Sequence, residues 1–270
     1  MLLADDPAAL HRLTRSLPRM RAAHRRAEPP DSALGDVMNT TQLPPIQLGT
    51  VERLVRTLGI VIVALVAAAL VVETIRYIIY AGEPVPQGGI LMSYADMDNE
   101  DSIATWFQGL HLALAGLLAG AWARHDPRRV RWGWWVLGAL FFAMSLDELT
   151  SMHEKFTGPL RQLLDVDSGP LLFAWVVLGI VVAGVFAVVM VPFLLRLPRP
   201  TALRLAVAGA VFIAGALGME MVGGLIAGSV GMDTLTYRLV IIGEETLEMV
   251  GTLLAIRAIG LHFQGRAAAR

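Results

Sequence analysis

Six long apolar stretches alternate with short polar ones, and this pattern predicts membrane-spanning helices at about 55–80, 103–123, 132–154, 169–195, 203–228 and 237–262. Each stretch has about 20 residues or more, the length a helix rising ~1.5 Å per residue needs to cross a ~30 Å hydrocarbon core. The chain therefore reads as an all-α polytopic membrane protein, a six-transmembrane-helix bundle over residues 51–270. Residues 1–50 are rich in Arg and Pro and have no apolar period, so they are expected to form a disordered cytoplasmic tail. That tail lacks the apolar core of a signal peptide. Met38 is a second plausible start, which makes the first 37 residues expected to be dispensable.

Charge placement gives the spans an orientation. Of the 22 Lys and Arg residues, 18 fall in the tail, in RHDPRRVRW, in RLPRPTALR and at the C-terminal end. Only Arg76, Lys155, Arg161 and Arg238 fall on the other side. Cytoplasmic loops carry the excess of basic residues, so both termini are expected in the cytoplasm, in a bacterial-type inner membrane. Trp122, Trp132, Trp134 and Trp135 then form one interfacial belt, and Tyr77, Tyr80, Tyr94, Trp106 and Tyr237 the other. Gly116-x3-Gly120 and Gly224-x3-Gly228 predict close helix approaches.

Composition narrows the chemistry. Charged residues make up 17% of the chain, against about 25% in a soluble domain. Nothing marks a nucleic-acid partner; the expected partners are the bilayer, a lipid-like substrate, and a second copy or another subunit. There is no cysteine, which excludes disulfides, thiolate metal sites and thiol nucleophiles.

The feature that demands an explanation is a set of ionisable groups inside the outer half of the spans. The stretch SLDELTSMHEKF closes an uncharged apolar run and brings Asp147, Glu148, His153 and Glu154. Depths counted from the outer ends place His111, Glu220, Glu244 and Glu245 roughly 10–12 Å in, and Glu248 about 17 Å in. Asp147, Ser151 and Glu154, at i, i+4 and i+7 of the third span, are expected to share one face, as are Glu244 and Glu248 one turn apart. A carboxylate at mid-bilayer costs about 2.5–3.5 kcal/mol, so these groups must face the bundle interior. The outer half and its loops hold 16 acidic residues against four basic ones, and Arg76 is already matched by Glu73 at i−3. The cluster is expected either to stay partly protonated or to hold a cation.

Seven carboxylates and two imidazoles suit a divalent metal ion: Zn, Fe, Mn or Ca. The candidate ligands are His111, Glu148, Glu220, Glu244, Glu248, His153 and Glu154, with Asp147 or Glu245 as the base for a metal-bound water. The inventory also fits a di-iron or di-manganese bundle, but the Glu-x-x-His signature of those sites is missing. The outer loop DMDNED, Asp96–Asp101, lacks the glycine of a calcium loop and is expected to cap the second span through Asp101 or Ser102.

The plan of a small helical bundle with histidines and acids near one leaflet is similar to intramembrane metal hydrolases of the alkaline ceramidase type. Those enzymes use three histidines and seven spans, so here a carboxylate would have to replace one ligand. The resulting expectation is a metal-dependent membrane protein acting on a lipid or other amphiphile from the periplasmic or exterior side. The alternatives are a cation- or proton-coupled carrier or channel component, and an assembly subunit whose acids receive a partner's basic residues.

Overall fold

The structure is a computed structural model that describes residues 48–80 and 90–268. All of these residues belong to one compact unit, 45–270. The expected tail and the start at Met38 lie outside the described residues, except that residues 48–50 already belong to the first helix.

Every regular element among the described residues is helical. In chain order they are α1 (Leu48–Tyr80), α2 (Ile90–Ala95), α3 (Ile103–Ala123), α4 (Arg128–Thr150), α5 (Thr157–Leu164), α6 (Trp175–Leu194), α7 (Arg199–Ile213), α8 (Glu220–Val230) and α9 (Leu235–Ala268). Short 3-10 turns, Glu154–Phe156 and Gly169–Leu171, precede α5 and α6, and a π-helical segment, Ala214–Met219, joins α7 to α8. Six long helical segments thus fall on the six predicted stretches. Four of them are long and apolar enough to cross a membrane: Gly49–Ile79, Ile103–Ala123, Trp175–Leu194 and Arg199–Val230. A fifth joins them if α4 and the segment Glu154–Leu164, bent by 71° from it, count as one span. At 34 residues α9 is long enough, but it is interrupted by Glu244, Glu245, Glu248 and Arg257.

Local chemistry explains where helices start and stop. Ser102 caps α3, its hydroxyl accepting from the Thr105 N–H at 3.1 Å, as the outer loop predicted. The third predicted span ends earlier than its pattern suggests. Helix α4 stops at Thr150 because Ser151 turns left-handed (φ 47°), and the Asp147 carboxylate reaches forward to accept from the His153 N–H at 2.9 Å. A side chain that bonds the backbone ahead of it competes with helix continuation. Asp147, Ser151 and Glu154 therefore do not share a helical face.

Two apolar clusters hold the helices together. One lies toward the Arg-rich end, where Trp134, Phe193, Ile256 and Phe263 bring α4, α6 and α9 together. The other packs Ile62 of α1 and Ala104 of α3 against Ile242 and Met249 of α9. Both predicted glycine stripes are used. A Cβ at Gly116 would come 3.1 Å from the Gly138 carbonyl of α4, whereas one at Gly224 would meet Gly169 O of the 3-10 turn at 2.8 Å.

The Arg-rich end also holds a buried polar node absent from the sequence expectation. Asp126 Oδ2 accepts from Trp134 Nε1 at 2.7 Å and lies 3.1 Å from His262 Nε2, whose Nδ1 meets Thr201 Oγ1 at 3.2 Å. It ties the α3–α4 connection to α4, α7 and α9.

Candidate functional site: an acid-headed cavity

The acidic stretches converge because α7, the π segment and α9 pack at backbone distance. A Cβ at Gly251 would come 2.7 Å from Phe212 N, and one at Gly215 would come 2.9 Å from Glu244 O and 3.0 Å from Glu248 Cγ. Only hydrogen fits at either position. The π segment that carries Gly215 leads directly into Glu220; such single-turn departures from α geometry concentrate at functional sites.

Beside this seam lies a cavity of about 680 Å³. Its acidic end receives Asp147 and Glu148 from α4, Glu154 from the following turn, and Glu220 from α8. Helix α9 adds Glu244, Glu245 and Glu248, and the loop before α3 adds Asp98 and Glu100. Among the described residues no Lys or Arg lines it. Most of the remaining wall is apolar and includes Phe141 of α4, Phe186 and Met190 of α6, and Leu205 and Phe212 of α7. Along α6 the wall runs from Trp175 to Leu194, a drop of roughly 28 Å at ~1.5 Å per residue.

Several acids already have partners. His153 Nδ1 sits 2.8 Å from Asp147 Oδ2, and its ring packs on Trp175 with centroids 4.4 Å apart. Trp175 Nε1 donates to Glu220 Oε1 at 2.8 Å. At the mouth, Arg238 reaches Asp98 at 2.6 Å and Asp96 at 3.4 Å, while Arg76 reaches Asp96 at 3.1 Å and Glu73 at 3.3 Å. Burial pushes the Asp98 carboxyl up to about 6 even beside Arg238, and Asp96 adds to the rise.

The α9 acids differ. Glu244 is 8% exposed, and its Oε2, like that of Glu245, has no hydrogen-bond partner among the described residues. Arg76, Arg238, Lys155 and Arg161 are occupied elsewhere. Arg76 and Arg238 hold the Asp96 loop, Lys155 donates to the Thr150 carbonyl, and Arg161 donates to Val166 O. Among the described residues, then, no Lys or Arg pairs with Glu244, Glu245 or Glu248.

The sequence-predicted residues divide cleanly. Asp147, Glu148, His153, Glu154, Glu220, Glu244, Glu245 and Glu248 all line the cavity. His111 does not. It is buried on α3 against Phe107 at 5.1 Å, and neither ring nitrogen has a hydrogen-bond partner among the described residues. Its helix neighbour Gln108 crosses to α9, donating to Thr252 at 3.3 Å. Glu73 makes the expected pair with Arg76 and stays off the cavity wall. Among the described residues no three His, Asp or Glu side chains are placed to hold a metal ion.

Sequence reasoning missed Asp98, Glu100 and Trp175. The available signal was position: Trp175 opens a long apolar helix at the same end as the acids, with Phe173 two residues before it.

A helical membrane protein built around a cavity that is acidic at one end and apolar at the other is the class these observations define. The chain belongs to the family described as "Domain of unknown function (DUF8692)", whose model matches residues 57–263 and so takes in every helix that lines the cavity. No curated protein and no solved structure matches it.

Proposed function

We propose that the protein is a six-span membrane protein with both termini cytoplasmic, whose cavity takes up an amphiphile with a positively charged head group from the outer side. The head lies among the carboxylates of α4, α8 and α9, and the aliphatic part lies along Phe141, Phe186, Met190 and Phe212. One observation carries this reading: a single cavity joins nine carboxylates, with no Lys or Arg among its described lining residues, to a long apolar wall. The charge asymmetry of the loops supports the orientation, since it puts the acidic end on the side poor in Lys and Arg.

The apolar wall weighs against an ion or proton carrier. A hydrated cation leaving the carboxylates would meet Leu137, Phe186, Met190 and Leu205, which offer it no ligand.

A second reading keeps the divalent metal ion (Zn, Fe, Mn or Ca) and with it an enzymatic role. It is favoured by the unpartnered Glu244 and Glu245 oxygens, and it requires these side chains and those of Glu148, Glu220 and Glu248 to turn toward a common point. His153 and Glu154 stand at the cavity edge as further ligands, and Asp147 or Glu245 would serve as the base.

The test is equilibrium binding of three amphiphiles with the same twelve-carbon chain and ammonium, sulfate or maltoside heads, alongside elemental analysis of the purified protein. Tightest binding of the ammonium form, reduced in Glu244→Gln/Glu248→Gln, supports the first reading. Stoichiometric metal lost in that variant supports the second.

A further inference from the structure

Three orphaned polar atoms at or just behind the acidic end are acceptors. Glu244 Oε2, Glu245 Oε2 and Gln108 Oε1 are all buried, all acceptors, and none has a partner among the described residues. Gln108 stands just behind the wall, its amide nitrogen already given to Thr252, a lining residue. Two donors of the wall are already used: Trp175 Nε1 is given to Glu220, and the His153 backbone N–H to Asp147. A buried acceptor without a partner costs about 1–3 kcal/mol. Whatever occupies this end must bring hydrogen-bond donors as well as positive charge.

We infer that the head group is a protic ammonium, the protonated amine of a single-chain aliphatic compound, whose N–H bonds are accepted by Glu244 and Glu245. This rests on the reading of the cavity as a site for a positively headed amphiphile and names its chemical class. A quaternary ammonium carries the same charge but has no N–H, so it would bury the same oxygens unsatisfied. A charged N–H···O⁻ bond is about twice as strong as a neutral one, which turns the difference into selectivity. The Trp175 ring, 4.4 Å from that of His153, does not discriminate between them, because an aromatic face attracts either cation.

The experiment measures equilibrium binding of dodecylammonium, dodecyltrimethylammonium and dodecyl maltoside to the full chain in lipid nanodiscs, with empty nanodiscs subtracted. Dodecylammonium is expected to bind about tenfold or more tighter than its trimethyl counterpart, the worth of roughly 1.4 kcal/mol of satisfied acceptors. That preference should fall to about twofold or less in Glu244→Gln/Glu245→Gln, with helical content by circular dichroism and the thermal unfolding midpoint certifying the fold. Should the double variant fail to insert, Glu245→Gln alone is expected to lose a measurable part of the preference. Equal binding of the two cations, or tighter binding of the trimethyl form, overturns the inference and leaves the proposed function standing if both exceed the maltoside. Neither cation exceeding the maltoside overturns both.

Discussion

Asp147 grips His153 twice: one carboxylate oxygen accepts the backbone N–H at 2.9 Å and the other meets the ring Nδ1 at 2.8 Å. This double contact ends α4, turns the chain through 71° and presents the His153 ring to Trp175 at the cavity edge. Replacing Asp147 with Ala should loosen the turn at a cost of about 1–2 kcal/mol. Hydrogen exchange should rise in residues 151–156 and stay unchanged in α7 and α9.

The close approach of α7 to α9 predicts a steric lesion. Gly251→Val places a branched side chain where even a Cβ would come 2.7 Å from Phe212 N. Overpacking of this kind costs about 1–3 kcal/mol and should push Glu244 and Glu248 out of register with Glu220. Amphiphile binding should fall at least tenfold while the helical content by circular dichroism is retained.

Asp98 supplies a pH dependence. Burial raises its pKa from about 4 to about 6 in the folded protein. The fold therefore favours the protonated form. The stability this residue contributes is complete below about pH 4, declines as pH rises, and is lost above about pH 6. Unfolding of Asp98→Asn, followed across that window, should lack this downward slope.

The polar node at the Arg-rich end should be structural. Asp126→Ala would leave Trp134 Nε1 and His262 Nε2 without the oxygen they share, two buried groups at about 1–3 kcal/mol each. The variant should unfold at markedly lower temperature, and the protein that remains folded should bind amphiphile with unchanged affinity.

The long helices were legible in the sequence because apolar stretches of span length leave few alternatives. The Ser102 cap and the Glu73–Arg76 pair were legible because they depend on neighbours three residues apart. The Asp147–His153 clasp was not, since the pattern around SLDELTSM allows the helix to continue and only the side-chain bond to the backbone ahead selects the turn. For the site, depth counting gathered eight of the nine proposed residues but misplaced His111. Depth fixes a level in the membrane, whereas the direction in which α3 points His111 is set by how Gln108 packs on Thr252. The apolar wall needed the structure, because lipid-facing and cavity-facing valines and leucines of α6 read alike.

That last ambiguity marks the most direct test. Dodecylamine carrying a diazirine at its chain end should be photolysed with the protein in lipid nanodiscs and the labelled residues mapped. The account predicts label on Phe186, Met190 and Phe212, which line the cavity, with labelling reduced in Glu244→Gln/Glu248→Gln. Label confined to outward-facing Val185, Val188 and Leu203, at the same level in both proteins, would mean that the chain lies only in the surrounding lipid and would contradict the account.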